Sequence, residues 1–260
     1  MNSDELEFDV ISICSPTIFH IEHLEKALKF KPRLIFLEKP ISSSLEETVS
    51  AVEKCESLGI KLAINYTRRW APDVIRLRKE LVSEKWGEVR SVVCHYNKGL
   101  LNNGSHMIDL LKYLFGELQL VSVVDVIHDY WENDPTIAAV LKTKENIYAY
   151  MNAANASDYE YFELQIICSR GLISMHDGGL NWSYRNIIKN PNFIGYRSLG
   201  SIKQYHGEYD MALPNAVDNI YQNLTNNVSL LCSGETAIET QKLCQTIRET
   251  ALNKKLDNYE

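Results

Sequence analysis

The pattern of hydrophobic and polar positions changes character near residue 65. Before that point, short apolar runs alternate with amphipathic segments. The apolar runs predict strands, the first of them buried on both faces, at residues 8–14, 34–37 and 60–64. The segment from Ile21 to Leu28 places its apolar residues on one side of a helix, which Thr17 is expected to cap. The serines at 42–44, followed by two acidic residues, predict the start of a second helix.

After residue 65 the pattern predicts a basic helix at about 72–83, a strand at 89–96 and a helix at 107–114. Strands with no helices between them follow, which is typical of a mostly antiparallel sheet: 118–127, 136–143, 146–153, 161–169 and 172–176. Residues 178–207 lack a clear periodicity and predict a long, mobile loop. The chain closes with helices predicted at about 213–231 and 235–253.

The predicted fold class is therefore α/β. Strands that alternate with helices are typical of parallel βαβ units, so residues 1–65 are expected to form three parallel strands with helices. Residues 66–260 are expected to form an α+β domain with a mostly antiparallel open sheet. We place the domain boundary between these two segments.

Composition limits the class of partner. The chain has 260 residues, a formal net charge of −7 and a pI near 5.6, which argues against binding to nucleic acid or to an anionic membrane. Its dense basic cluster is interpreted as a solvated helix face: Arg68, Arg69, Arg76, Arg78 and Lys79.

The cysteines and the first residues predict a cellular location. None of the six cysteines forms a C-x-x-C pair or lies near a histidine at metal-site spacing, so we expect no metal. Several, including Cys14, lie in apolar runs, where a free cysteine behaves as a buried hydrophobic residue. Residues 1–10 do not resemble a signal peptide, and no run approaches the roughly 20 apolar residues of a membrane span. We therefore expect a soluble protein of the reducing cytoplasm.

Four short segments occur in order along the chain: Ser15-Pro16-Thr17-Ile18-Phe19-His20 after the first strand, Glu38-Lys39-Pro40 after the second, Asn65-Tyr66-Thr67-Arg68-Arg69-Trp70 near residue 65, and Asn102-Asn103-Gly104-Ser105-His106-Met107-Ile108-Asp109 at the start of a helix. In this order and spacing they resemble the Gfo/Idh/MocA family of nicotinamide-dependent sugar oxidoreductases. The corresponding family patterns are (T/S)-P-x-x-x-H, E-K-P, the crossover into the substrate domain, and D-x-G-x-H-x-x-D.

The resemblance implies a cofactor, a reaction and an assembly. It implies that NAD or NADP exchanges a hydride with a carbon of a sugar, a sugar nucleotide or a cyclic polyol. It implies that residues 1–65 are the C-terminal half of a dinucleotide-binding Rossmann domain, and that residues 66–260 form the substrate-binding and oligomerisation domain. It also implies a homo-oligomer that forms through the antiparallel sheet.

One part of the expected cofactor site has no counterpart in the sequence. The G-x-G-x-x-G turn that binds the pyrophosphate in this fold class does not occur, and Gly59 is the first glycine of the chain. The first strand is therefore predicted to be a bare sheet edge, which is an aggregation hazard. We expect either a truncated gene product or a partner that covers this edge, and we place truncation first.

The resemblance also implies roles for individual residues. Lys39 would polarise the reacting oxygen, and His106, whose unperturbed pKa is about 6.5, would act as general acid or base. Asn102 stands where many family members carry Asp, and an amide can orient a hydroxyl group but cannot accept its proton. The cofactor would contact Ser15, Pro16, Thr17, His20, Glu38, Lys39 and Pro40. The substrate would contact Tyr66, Arg69 and Lys98.

Two other hypotheses stay open. In the first, the chain is a catalytically inactive remnant that binds sugar or assembles with a full-length homologue through its open sheet. In the second, the motif matches are chance and the chain is an unrelated α/β binding module. The second hypothesis predicts that Lys39 and His106 do not share a cleft.

Overall fold

Two sheets organise the fold. The structure is a computed structural model that describes residues 7–257, with side chains through residue 253. The smaller sheet consists of β1 (Val10–Ile13), β2 (Leu34–Leu37) and β3 (Lys61–Ile64), paired in that order and all parallel. Its crossover helices are α1 (His20–Leu28) and α2 (Leu45–Ser57). The predicted parallel βαβ arrangement is therefore confirmed.

The structure confirms some local signals of this segment and contradicts others. Ser44 caps α2, because its hydroxyl accepts a hydrogen bond from the Glu47 N–H at 3.3 Å. The cap predicted at Thr17 is wrong, since Thr17 begins a short 3-10 turn that runs directly into α1. The burial predicted for both faces of the first strand is also wrong. As the edge strand, β1 buries Ile13 but leaves Val10 and Ser12 exposed.

The larger sheet has nine strands and is antiparallel except for one parallel pair, β4 with β7. Its members are β4 (Val89–Tyr96), β5 (Leu118–Trp131), β6 (Asp134–Thr143), β7 (Tyr148–Ala153), β8 (Phe162–Cys168), β9 (Gly171–His176), β10 (Asn181–Lys189), β11 (Arg197–Leu199) and β12 (Lys203–His206). The order is β11-β10-β9-β8-β4-β7-β6-β5, and β12 also pairs with β10. The predicted mostly antiparallel sheet is confirmed.

The prediction of a long loop at residues 178–207 is wrong, because this segment contains the strands β10, β11 and β12. In β10, Trp182 lies opposite Met175 on one side and Tyr205 on the other, and its ring is buried. In β10 the alternation of hydrophobic and polar positions depends on aromatic residues that lie among Ser183, Arg185 and Asn186. Aromatic rings among polar neighbours give a weak hydrophobic period, and cross-strand pairing supplies the order that the period does not show.

The remaining helices are α3 (Pro72–Val82), α4 (Ser105–Phe115), α5 (Ala212–Asn226) and α6 (Gly234–Asp257). The prediction that α5 reaches residue 231 is wrong, because Asn227 adopts a left-handed conformation with φ of 55° and ends the helix. In α6, Gln241 accepts from Thr48 of α2 at 2.9 Å and donates to the Ser42 carbonyl at 2.9 Å. These bonds fix the C-terminal helix to the smaller sheet.

One face of the larger sheet packs against α4 and α6, whereas the other leaves apolar side chains exposed, among them Tyr148, Tyr150 and Ile167. Cys14 is exposed rather than buried, because it follows the edge strand; the other five cysteines are buried, and all six are free. No helix in residues 7–257 has both the length and the apolar character needed to cross a membrane. The domain boundary after residue 65 stays a prediction.

Candidate active site

The carboxyl ends of the parallel strands form the first part of the site. Glu38-Lys39-Pro40 follows β2 directly, and the Glu38 N–H donates to the Ile13 carbonyl at 3.0 Å, which fixes this turn beside the end of β1. Asn65, just after β3, donates its side-chain N–H to the Glu38 carboxylate at 2.6 Å. Open α/β sheets bind their ligands in the crevice outside these strand ends. Lys39 therefore lies where a ligand is expected.

His20 ties the turn after β1 to the turn after β2. Its side chain is buried, with Nδ1 at 2.7 Å from the Pro40 carbonyl oxygen and Nε2 at 2.7 Å from the Ser15 carbonyl oxygen. Because both ring nitrogens already have partners, we assign His20 to positioning the two turns, in place of the direct cofactor contact that the resemblance implies. Pro16 is exposed and Thr17 partly exposed, so both remain available to a ligand.

A π-helical turn from Gly99 to Gly104 forms the opposite side of the site. The Asp134 carboxylate anchors it by accepting the N–H groups of Leu101 and Asn102, each at 2.8 Å. Gly99 has a φ of +86°, and a Cβ at this position would clash with Asp134. Only glycine allows the backbone to approach the carboxylate this closely. The result is a rigid turn that carries Asn102 towards Lys39.

Lys39 and Asn102 are joined by two hydrogen bonds. Lys39 Nζ donates to the Asn102 carbonyl oxygen at 2.6 Å and to its side-chain Oδ1 at 3.1 Å. The Asn102 side-chain N–H donates to the Lys98 carbonyl at 3.0 Å, which keeps the amide oxygen turned towards Lys39. A lysine amine has three bonding positions besides its carbon. One position of Nζ therefore stays open, as a lone pair in the neutral form and as an N–H in the charged form.

Burial lowers the pKa of Lys39 to about 8, because the ammonium ion loses hydration; Glu38 and Asp134 oppose this shift, and Arg68 adds to it. An amine with such a pKa is present in both protonation states near neutral pH. Groups of this kind are the ones best suited to accepting a proton and returning it.

His106 lies in the first turn of α4, and its ring forms a T-shaped pair with the ring of Tyr66 at a centroid distance of 5.5 Å. Its Nδ1 is buried and has no hydrogen-bond partner among the described residues. Burial, assisted by the charges of Lys39 and Arg68, holds the pKa of His106 well below its ordinary value. The imidazole is therefore neutral near pH 7. The charge of Lys39 contributes to this shift, so the two groups interact electrostatically, which the hypothesis of an unrelated binding module does not predict.

The structure gives two of the predicted substrate contacts another setting. Arg69 is buried in a bidentate ion pair with Asp109, with N···O distances of 2.8–3.0 Å, and donates to the Leu231 carbonyl at 3.1 Å. The prediction that this basic cluster is a solvated helix face is therefore wrong at Arg69. Tyr66 is also buried, and its ring supports His106. We assign both residues to positioning.

Lys98 contributes through its backbone. Its left-handed conformation, with φ of 63°, begins the π-helical turn, and its carbonyl orients the Asn102 amide. The ammonium group pairs with Glu160 at 3.0 Å and does not contact Lys39. A direct substrate contact by Lys98 stays a prediction.

Two residues of the site escaped the reasoning from sequence. The first is Asp134. It lies in an Asn-Asp-Pro stretch that is typical of a turn, and nothing in the sequence indicates that its carboxylate anchors the π-helical turn. The second is Arg68, whose charge lowers the pKa of both Lys39 and His106. The adjacent Arg69 is turned into the core, and an Arg-Arg pair in sequence does not reveal which member faces the site.

The residues present fit one half of a nicotinamide dinucleotide. The turn after β1 and the Lys39 amine offer polar and charged groups to a nicotinamide and to a reacting hydroxyl group. The buried Nδ1 of His106 has no hydrogen-bond partner among the described residues. No G-x-G-x-x-G turn occurs in the sequence, so we assign no residue of this chain to the pyrophosphate. This fold and this arrangement of residues agree with the resemblance drawn from the four sequence motifs.

Comparison with known sequences finds similarity to one family of oxidoreductases. Residues 1–66 match the sequence model of the oxidoreductase family with an NAD-binding Rossmann fold, GFO_IDH_MocA. Over 189 residues the chain is 23% identical to inositol 2-dehydrogenase of Rhizobium meliloti, covering 65% of this chain and 57% of that protein. It is 28% identical to D-glucoside 3-dehydrogenase of Escherichia coli over 42% of this chain and 36% of that protein. The matched segments thus span about a third to just over half of these relatives.

Comparison with solved structures shows the fold. An oxidoreductase from Agrobacterium radiobacter, solved in complex with NAD+, L-tartaric acid and magnesium, superimposes with a TM-score of 0.71 at 17% identity. The superposition covers 95% of this chain and 79% of that one. The chain is therefore similar in sequence to Gfo/Idh/MocA oxidoreductases over residues 1–66 and similar in fold to a solved oxidoreductase.

Proposed function

We propose that the chain is an NAD(P)-dependent oxidoreductase that oxidises a secondary hydroxyl group of a sugar, a sugar nucleotide or a cyclic polyol. The main observation behind this proposal is the Lys39 amine, which follows the carboxyl end of β2, has one open position at Nζ and interacts electrostatically with His106. The dinucleotide, when bound, supplies the hydride acceptor.

We assign proton transfer to Lys39. Its two N–H groups are directed to Asn102, so the third position, a lone pair in the neutral amine, is free to take the hydroxyl proton. His106 is a much weaker base, because its pKa is held well below the ordinary range. We therefore assign to His106 a hydrogen bond that orients the reacting oxygen, in place of the general acid or base role that the resemblance implies.

The experiment that tests the function is a substrate panel. The purified chain is incubated with NAD+ or NADP+ and with aldohexoses, sugar phosphates, sugar acids, nucleotide sugars and inositols, and reduced nicotinamide is measured by its absorbance. We expect turnover with at least one member. The alternative is a catalytically inactive protein that binds sugar or assembles with another chain. Saturable sugar binding without turnover under any condition would support that alternative.

The pKa of Lys39 predicts the pH dependence of alcohol oxidation. Below pH 8 the amine is protonated and has no lone pair for the hydroxyl proton, so kcat rises with pH and levels off once the pH exceeds about 8. The reverse reaction needs the ammonium form and shows the opposite trend. Rate measurements in buffers of constant ionic strength provide the test. A profile flat between pH 6 and pH 9 contradicts the assignment.

Replacing Asn102 by Asp moves this profile. A carboxylate at the position of Oδ1, 3.1 Å from Nζ, stabilises the ammonium form and raises the pKa of Lys39. The inflection of kcat for oxidation then lies at higher pH, by about one unit or more. Asn103→Asp is the matched control, because it adds the same charge to the neighbouring residue of the same turn. An equal shift in both variants would show that the Lys39–Asn102 contact is not the cause.

The exposed apolar face of the larger sheet supports the predicted homo-oligomer. Tyr148, Tyr150 and Ile167 remain 38–42% exposed on strands that lie inside the sheet order. Contiguous exposed apolar surface is typical of an interaction site. Sedimentation analysis of the wild-type chain and of a Tyr150→Lys variant measures the state directly, and we propose that the substitution weakens association.

A further inference from the structure

Arg68 is held in place by its stem and its flat face. Its guanidinium carbon lies 3.8 Å from the centre of the Phe162 ring and 5.4 Å from the centre of the Tyr209 ring. Its Nε donates to the Gly178 carbonyl at 3.0 Å. Guanidinium groups stack favourably on aromatic rings, and this one is bonded through its inner nitrogen only.

The two terminal nitrogens of Arg68 have no protein partner among the described residues: neither makes a hydrogen bond, and no carboxylate forms an ion pair with the group. These nitrogens keep some solvent exposure. In the described part of the chain, the one fully buried side-chain nitrogen or oxygen atom without a hydrogen-bond partner is His106 Nδ1, so the unpartnered nitrogens of Arg68 are not fully buried. The neighbouring Arg69, by contrast, has its charge matched by Asp109. Arg68 thus presents two terminal nitrogens, each a hydrogen-bond donor without a protein partner among the described residues.

The surroundings favour an anion at this place. Burial lowers the pKa of Arg68, because the charge has lost hydration without gaining a counter-ion; Tyr209 and Glu160 oppose the shift. Glu160 itself is paired with Lys98 at 3.0 Å. Lys39 adds a second positive charge nearby. A buried cation without a partner costs free energy, and an anionic ligand group would remove that cost.

Gly178 keeps the approach to Arg68 open. Its φ of +67° is a left-handed conformation, and a Cβ there would lie 3.1 Å from the second terminal nitrogen of Arg68. A side chain at this position would cover the donor that faces Gly178. The glycine therefore both permits the turn after β9 and leaves the nitrogen accessible.

We propose that Arg68 determines substrate specificity by binding a phosphate or carboxylate group carried by the sugar, with its two terminal nitrogens as a fork. This inference rests on the proposed function and narrows its substrate class to sugars that carry an anionic group. Planar two-point recognition of phosphate and carboxylate is the contact for which arginine is best suited. The reacting hydroxyl would then lie at Lys39 while the anion is held at Arg68.

Calorimetric titration tests the inference without requiring turnover. The probes are glucose 6-phosphate, glucuronate, glucose and inorganic phosphate, each titrated into the full chain with and without NADH. We expect at least one of the two anionic sugars to bind at least about tenfold more tightly than glucose, since charge-assisted hydrogen bonds contribute of this order. Phosphate alone and glucuronate distinguish a phosphate site from a carboxylate site.

Variants of Arg68 separate its charge from its shape. Arg68→Met weakens binding of the preferred anionic sugar by about 30-fold and leaves glucose within about threefold. Arg68→Lys gives an intermediate loss, because the charge remains while the fork is removed. Arg78→Met is the matched control: Arg78 also lies over an aromatic ring, that of Tyr113 at 4.6 Å, but is exposed on α3. It should bind all probes as the wild type does.

Three results would overturn the inference. One is equal affinity for the anionic and neutral sugars, which includes the absence of any binding up to about 10 mM. Another is equal behaviour of Arg68→Met and Arg78→Met. The third is an Arg68→Met variant that loses affinity for NADPH but not for NADH or the sugars, which would assign the anion to the cofactor. Failure of both dinucleotides to bind bears on the proposed function alone, because the sugar titrations still report on Arg68.

Discussion

Replacing Lys39 by methionine lowers kcat for the alcohol substrate by about a thousandfold, the range expected when a group that accepts the reacting proton is removed. Methionine keeps most of the length of the side chain and its packing, but it has neither a lone pair nor an N–H at the position of Nζ. The two oxygens of Asn102 lose their donor, which costs about 1–3 kcal/mol of stability. Steady-state rates at saturating substrate measure the effect.

Lys61 provides a control of the same chemistry. Its Nζ donates to the Asn223 side-chain oxygen at 2.9 Å and to the Asn223 carbonyl at 3.5 Å, so Lys61→Met removes an equivalent pair of contacts. Lys61 begins β3, at the amino end of the parallel sheet, whereas Lys39 follows the carboxyl end of β2. We expect a modest loss of stability and an unchanged kcat. Equal kcat in the two variants would falsify the role of Lys39.

Loss of the Arg69–Asp109 ion pair has the largest expected effect on stability. Arg69→Met leaves the Asp109 carboxylate charged and unpaired in the core, which costs about 3–5 kcal/mol of unfolding free energy. Chemical denaturation followed by circular dichroism measures the change. The exposed Lys26–Glu22 pair is the control, and Glu22→Gln should leave the denaturation midpoint unchanged.

A double variant distinguishes this structural role from the substrate contact that the resemblance implies. Arg69→Met combined with Asp109→Leu removes both charges, so it regains much of the stability that either single change loses. If Arg69 instead contacts substrate, Arg69→Met raises KM with little loss of stability, and Asp109→Leu gives no compensation.

The sequence predicts the smaller sheet well, because each of its elements has a strong local signal. The buried run at β2, the serine cap of α2 and the glycine after it are short-range features, and the structure confirms all three. The strands after residue 178 could not be predicted in the same way. Their order comes from cross-strand pairs of Trp182 with Met175 and Tyr205, which are contacts between distant parts of the chain.

In the candidate site, too, the sequence predicts the features that have a local signal and misses those that depend on distant contacts. The motifs place Lys39 and His106 at strand and helix ends, and the structure brings the two side chains within electrostatic reach of each other. The sequence does not show that Asp134 anchors the π-helical turn, because that contact spans more than thirty residues. Nor does it show which of two adjacent arginines faces the site. The direction of a side chain is fixed by what packs around it, and that information is tertiary.

The most direct test of the central claim is a calorimetric titration of the 260-residue chain with NADH and then with NADPH. We expect at least one dinucleotide to bind in the micromolar range, and we expect Lys39→Met to alter its binding while Lys61→Met does not. No binding of either dinucleotide up to about 1 mM, the weak limit for a specific cofactor site, would contradict oxidoreductase activity by this chain.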